Sequence, residues 1–315
     1  MTGTPIARDA GAFAFVMATG IVSTAAAGVG LVILSDALLV FALASWCVLA
    51  AVVFPRAVRQ ARRPRLQSFA LVAGTAVLGV RFVFAADDRL ALGLWCLALF
   101  FYLLLIVRRP TLGSAVGGSL LFVVATESLA ALAALLAPHS TALLLVVALA
   151  AWALGLCLYP LLMTAIVSAA RHRSRFAPDL WIGMGALAIA TLAGAELVLA
   201  ARTLRTLPEI ASLLRDIDLA TWSLASALIV PLLAAEFLGR TSWRYEASRW
   251  SFVFPLGMYA VATRTLAQAN TLPPLGKVGI VFFWCALTGW IVVLVGLARR
   301  AAPVLRGPLS MVGRR

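Results

Sequence analysis

The sequence predicts an all-α integral membrane protein of ten transmembrane helices, arranged as five helical hairpins around a central pore. Three observations carry that expectation. Of the 315 residues, 63% are hydrophobic and only 12% are charged, about half the charge of an ordinary soluble domain. Ten apolar stretches alternate with short polar intervals, and arginine gathers in every second interval.

A stretch of about 20 apolar residues crosses a hydrocarbon layer of ~30 Å at about 1.5 Å per residue. Such stretches run over 13–33, 37–54, 67–86, 90–107, 113–136, 141–167, 179–201, 217–238, 248–269 and 276–298. The first follows a short start with no small-residue cleavage pattern at its far end, so it reads as a retained span. The odd spans are rich in small and hydroxylated residues. Span 1 carries Thr19, Gly20, Ser23 and Thr24; span 3 carries Gly74, Thr75 and Gly79. Span 5 carries Gly117, Gly118, Thr126 and Ser128, span 7 carries Gly183, Gly185, Thr191 and Gly194, and span 9 carries Gly257 and Thr263. Spans 2, 4 and 6 read instead as Leu, Ala, Val and Trp with few polar atoms, and Pro160 and Pro231 are expected to shape lipid-facing helices. Small residues permit close helix packing. Their alternation along the chain predicts that the first helix of each pair belongs to an inner, partly hydrated ring and that the second faces lipid.

Arginine placement sets the expected orientation, because cytoplasmic loops carry the excess of Lys and Arg. The cations number 26, and 19 of them flank the N-terminus, the C-terminus or the loops after even spans. They include Arg56, Arg59, Arg62, Arg63 and Arg65 after span 2, Arg171, Arg173 and Arg175 after span 6, and Arg240, Arg244 and Arg249 near the loop after span 8. Both termini are therefore expected in the cytoplasm. No loop exceeds about 20 residues, so residues 1–315 read as one membrane domain. The net charge of +14 is spread in short clusters between apolar runs, not gathered on one face as nucleic-acid binding requires.

Four ionisable residues interrupt odd spans: Arg81, Glu127, Glu196 and Arg264. Each lies 14 to 17 positions past the start of its span, about 21 to 26 Å in at about 1.5 Å per residue. Charges in hydrocarbon face a cavity or a partner, so the four are expected to meet in a ring of ion pairs or an external vestibule. Pro255 interrupts span 9 beside Phe252, Phe254 and Gly257, where it removes a backbone hydrogen bond and predicts a kink and a constriction.

No catalytic set is visible. His139 and His172 fall in loops on opposite sides, and Cys47, Cys96, Cys157 and Cys285 fall inside even spans, where they read as inert packing residues. No His lies near a Cys at metal-ligand spacing and no phosphate-binding glycine loop is present, so neither a metal nor a nucleotide is expected as a cofactor.

Three segments resemble the tellurite-resistance/C4-dicarboxylate transporter family, which includes fungal malate permeases, sulfite exporters and the plant slow-type anion channels. They are Phe13 to Ser23 (FAFVMATGIVS), Pro178 to Gly194 (PDLWIGMGALAIATLAG) and Trp250 to Thr263 (WSFVFPLGMYAVAT). The resemblance implies a homotrimer in the bacterial inner membrane, each protomer with its own pore lined by the odd helices and passing small anions without a cofactor. It also implies a phenylalanine gate on the ninth helix, which matches Phe254 beside Pro255, with Phe252 as the fallback. Thr19, Gly20, Ser23, Arg81, Glu127, Glu196 and Arg264 are the expected lining and vestibule residues. An alternative within the resemblance is a proton-coupled carrier of C4-dicarboxylate or sulfite, with Glu127 as the titrating group.

Overall fold

A computed structural model describes residues 5–59, 64–111, 117–170, 178–206, 208–238 and 246–306. Arg62, Arg63, Arg171, His172, Arg173, Arg175, Arg240 and Arg244 lie outside the described residues, so the loop clusters on which the expected orientation rests are only partly described.

Ten long α-helices make up the described chain: α1 (Pro5–Gly28), α2 (Val32–Arg59), α3 (Ala70–Phe84), α4 (Asp88–Val107), α5 (Leu121–Leu136), α6 (Leu143–Ala170), α7 (Trp181–Thr203), α8 (Ala211–Leu238), α9 (Trp250–Ala269) and α10 (Pro273–Arg306). Eight are long and apolar enough to cross a membrane; in α1 the described side chains form the shorter apolar stretch Phe13–Gly28, and α9 is the least apolar of the inner helices. Arg264, Gln268 and several hydroxyls dilute the apolar character of α9, a composition compatible with a helix that other helices cover.

Consecutive helices pack in pairs, α1 on α2 through to α9 on α10. The odd helices also follow one another in a closed cycle, each touching the next and α9 returning to α1. Burial separates the two sets. The most apolar stretches of α5 and α7, with the turns before them, are 89% and 94% buried, whereas those of α4, α6 and α8 are 28%, 28% and 17% buried. Inside the ring the small residues let backbones approach, and outside it the even helices present Leu, Val, Ile and Phe outward. Cys47, Cys96, Cys157 and Cys285 are exposed on those outer faces, so they line the apolar exterior and do not pack inside. An even helix has two faces, and the sequence alone does not tell which one a cysteine takes.

One polar device recurs around the cycle. Each even helix carries a tryptophan whose indole N–H donates to the following odd helix. Trp46 reaches Thr75 Oγ1 at 2.9 Å, Trp95 the Leu129 carbonyl at 3.1 Å and Trp152 the Ala190 carbonyl at 2.9 Å. Trp222 reaches Thr263 Oγ1 at 3.0 Å, and Trp290 closes the circle on Thr19 Oγ1 at 3.0 Å. A buried indole needs an acceptor, and these five bonds tie each pair to the next.

The turns that end α1, α3, α7 and α9 also share a design. A residue at positive φ (Gly30, Ala86, Arg205 or Thr271) is followed by an amide that reaches back five residues, as Leu31 does to Ala26 at 2.9 Å and Asp87 to Phe82 at 3.0 Å. This left-handed cap satisfies the last carbonyls of a helix and reverses the chain within a few residues. Only Gly30 adopts that backbone without a steric penalty.

At the opposite end, α3, α5, α7 and α9 each begin with a single 3-10 turn: Leu66–Phe69, Gly117–Leu120, Pro178–Leu180 and Ala247–Arg249. These turns touch one another in sequence, and the first and last touch α1. The N-terminal ends of the inner helices therefore gather at one face.

Candidate functional site

Pro255 sits in the first third of α9 and is buried. Its ring packs on α7 at Gly185, where a Cβ would come within 2.9 Å of Pro255 Cγ, and a Cβ on Gly257 would come within 2.8 Å of Ile21 Cγ2 on α1. At this level α9 is wedged between its two ring neighbours. Phe252 packs edge-on against Trp181 of α7, with centroids 4.8 Å apart, and against α10 at Gly289. Phe254 is among the largest fully buried side chains. Two residues further along a helix is a turn of about 200°, so with Phe252 directed at the α7–α10 side, Phe254 points away from that side.

The hydroxyls and small residues expected to line the path on α1 are engaged with neighbouring helices. Thr19 accepts from Trp290, and Gly20 faces Val77 of α3, 3.1 Å from where its Cβ would stand. Ser23 and Ser35 exchange hydrogen bonds across α1 and α2, each hydroxyl donating to the other's carbonyl at 2.7 Å.

The four intramembrane charges do not form one ring of ion pairs. Arg81 turns to α2, donating from Nε to Ser35 Oγ at 2.8 Å and from Nη2 to Asp36 at 2.7 Å. Arg264 donates to the Gly28 carbonyl at the end of α1 and lies over Gly279 of α10. Among the described residues, no ion pair joins Glu127 or Glu196 to an arginine. Glu196 of α7 is hydrogen-bonded to Thr265 of α9. Glu127 of α5 turns outward against α6, where Gly155 leaves room for its carboxylate, and neither of its oxygens has a hydrogen-bond partner. The two bases therefore flank the α1–α2 turn, while the acids lie across the ring. Similar depth along the helices underlies the expected ring, but depth does not fix which way a side chain turns: Arg81, Arg264 and Glu196 each take a partner on a neighbouring helix, and Glu127 takes none.

Two residues of this charged layer escaped the sequence reading. Asp36 neutralises Arg81 from the start of α2. Asp218 is fully buried on α8, where its carboxylate lies against Gly194 of α7 and neither oxygen has a hydrogen-bond partner. It escaped because the eighth span was expected to begin at 217, which puts Asp218 at a membrane edge; the helix begins at Ala211, which puts it two turns inside. The signal was the pair Asp218 and Thr221, three apart and on one helix face.

His139 lies 3.6 Å from Asp88 at the end where α4 begins. Among the described residues, no group of three or more His, Cys, Asp or Glu is arranged to hold a metal ion.

Comparison with known proteins gives the site its setting. The family model for the voltage-dependent anion channel SLAC1 matches residues 9–298. An uncharacterized membrane protein of Mycobacterium tuberculosis strain CDC 1551 / Oshkosh is 36% identical over 132 residues, which is 41% of this chain and 66% of that protein. The same protein in strain ATCC 25618 / H37Rv matches with the same values. The match thus spans just under two thirds of the length of these curated relatives.

Proposed function

The chain belongs to the SLAC1 voltage-dependent anion channel family, and on that premise we propose that it passes small anions across the membrane through a pore inside the ring of odd helices, closed at Phe254. The observation that carries this reading is the pairing of Phe254 with Pro255. A large ring, wholly buried and turned away from its neighbour Phe252, stands on the one inner helix with a proline inside it. An apolar constriction resists wetting and stops ions without a specific lock, and a proline-weakened helix gives the ring a backbone able to shift.

The choice of anions over cations draws support from the gathered starts of α3, α5, α7 and α9. The N-terminal end of a helix carries roughly half a positive charge, and exposed amides there bind anions. The start of α5 already does so within the protein, where the Gly118 amide donates to the Asp179 carboxylate at 3.1 Å. The net charge of +14 acts in the same sense at longer range. Chloride, nitrate, sulfite, dicarboxylates and tellurite-type oxyanions all satisfy this chemistry, and family membership supports reading the protein as a transporter of anions, not an enzyme. We place it in the bacterial inner membrane as a homotrimer of one-domain protomers with both termini cytoplasmic. Labelling of the 56–65 segment from outside the cell would contradict that orientation, and a monomer in mild detergent would contradict the trimer.

A proton-coupled carrier of C4-dicarboxylate or sulfite is the second reading, favoured by the unpartnered carboxylate of Glu127. Flux in proteoliposomes across a panel of anions, with and without a pH gradient, tests both. Downhill flux indifferent to the gradient supports the pore, and uphill flux driven by protons supports the carrier. Flux no greater than that of empty liposomes for every anion contradicts both.

A further inference from the structure

We propose that Glu127 and Asp218 form a proton-binding site in the wall of the bundle, between α5, α6, α7 and α8. Glu127 and Asp218 are fully buried, and none of their carboxylate oxygens has a hydrogen-bond partner. Glu196, 7% exposed, has the Thr265 hydroxyl.

The space these groups occupy is made by glycine. A Cβ on Gly155 of α6 would overlap the Glu127 carboxylate. A Cβ on Gly194 of α7 would stand 2.7 Å from Asp218 Oδ1 and 3.2 Å from Trp152 Cζ2. Trp152 and Gly155 are less than one turn apart on α6, so both acids come to the same stretch of that helix.

The donors nearby are committed elsewhere. Trp152 gives its N–H to the Ala190 carbonyl at 2.9 Å. Thr191 donates to Leu187, and Thr221 to the backbone carbonyl of Asp218 itself, at 2.8 Å. On α5, Ser128 donates to Val124 and Thr126 is shared with Tyr102 of α4. Charged groups on the neighbouring elements give no relief. Arg81 of α3 goes to Asp36, Arg264 of α9 to Gly28, Arg202 of α7 to the Ala269 carbonyl, and Arg215 of α8 to its own helix at Ala211.

Ionised carboxylates held together in a low-dielectric wall are costly singly and repel one another. A metal ion would meet that cost, but no described group has the arrangement to hold one. A proton meets it with the smallest ligand there is: one carboxylate becomes a neutral acid, and the buried charge and its repulsion fall together. Carboxyls coupled in this way take up and release protons as a unit. Loss of the proton leaves like charges facing one another between α8 and the inner helices α5 and α7, so proton occupancy of this wall bears on the packing of the ring.

Infrared spectroscopy of the full chain in lipid nanodiscs tests the site without reference to transport. A protonated carboxyl has a carbonyl band distinct from that of a carboxylate, and the band shifts when the proton is exchanged for deuterium. In neutral buffer the unmodified protein should show an exchangeable band of this kind. Glu127→Gln and Asp218→Asn should each diminish it, and the double variant should remove most of it. Absence of the band from the unmodified protein overturns the proposal even if the variants fail to fold, as does an undiminished band in a folded double variant. A drop in melting temperature when a bulky organic cation replaces sodium and potassium would assign the site to an alkali cation and overturn the proton. A flux measurement extends the test and rests on the anion-transport reading: flux should change between mildly acidic and mildly alkaline buffer, and the double variant should lose that response. Unmodified protein that shows the band but carries no anion would refute the transport reading and leave the proton site standing.

Discussion

Arg81 on α3 and Glu127 on α5 stand at similar depth on neighbouring inner helices, yet the protein treats them in opposite ways. Arg81 is met by an anion and a hydroxyl from α2, and the Ser23–Ser35 exchange beside it ties α1 to the same network. Glu127 is met by a glycine, a second acid and no donor. One side of the ring is closed by satisfied polar contacts and the other holds buried carboxyls without hydrogen-bond partners. Buried polar groups are paired when they serve structure. An exception kept in the wall of a bundle points to a ligand, and here the ligand proposed is a proton.

Substitutions can break that comparison or sharpen it. The largest expected effect falls on the satisfied side. Asp36→Ala strips the buried Arg81 guanidinium of its anion and should cost about 2 kcal/mol, somewhat under the usual cost of orphaning a buried charge because Asp36 itself is largely exposed. Arg81→Met removes the buried charge along with the pair, leaves Asp36 in solvent and should cost about 1 kcal/mol or less. Thermal unfolding in detergent reads both; equal costs would mean that Arg81 is not the partner at risk.

A smaller loss, about 1 kcal/mol, is expected for Trp290→Phe. That change deletes the hydrogen bond to Thr19 that closes α10 on α1 and keeps most of the ring's bulk. Unchanged stability by the same measurement would remove the tryptophan bonds from the account of how the pairs are joined.

The smallest effect is expected on the unsatisfied side. Glu127→Gln replaces a carboxyl by an amide of the same shape and should leave stability within about 0.5 kcal/mol. A loss matching that of Asp36→Ala would show that Glu127 is held by a cation after all, and the comparison would collapse.

Much of this architecture was legible in the sequence. The alternation of Gly- and Thr-rich spans with Leu-rich ones marks which helices are buried, because close approach needs small residues where inner helices meet, as at Gly185 against Pro255. Helix ends were less legible. A span is recognised by hydropathy, and the start of α8 carries Arg215, Asp216 and Asp218, so apolarity sets in after the helix does. Pairing was not legible at all. Arg81 and Arg264 sit at like depth, but one finds Asp36 and the other the Gly28 carbonyl, a choice made by helix rotation that spacing along one chain does not encode. The exposed cysteines fail for the same reason.

The central claim is that Phe254 closes a path for anions, and side-by-side flux in proteoliposomes for Phe254→Ala and Phe252→Ala tests it most directly. The account predicts that Phe254→Ala raises anion flux at least about tenfold, the equivalent of about 1.4 kcal/mol off the barrier, with expression and assembly unchanged. Phe252→Ala, which loses packing such as the contacts to Trp181 and Gly289, should change flux far less. Flux like that of the unmodified protein in both variants would contradict the claim and place the constriction elsewhere.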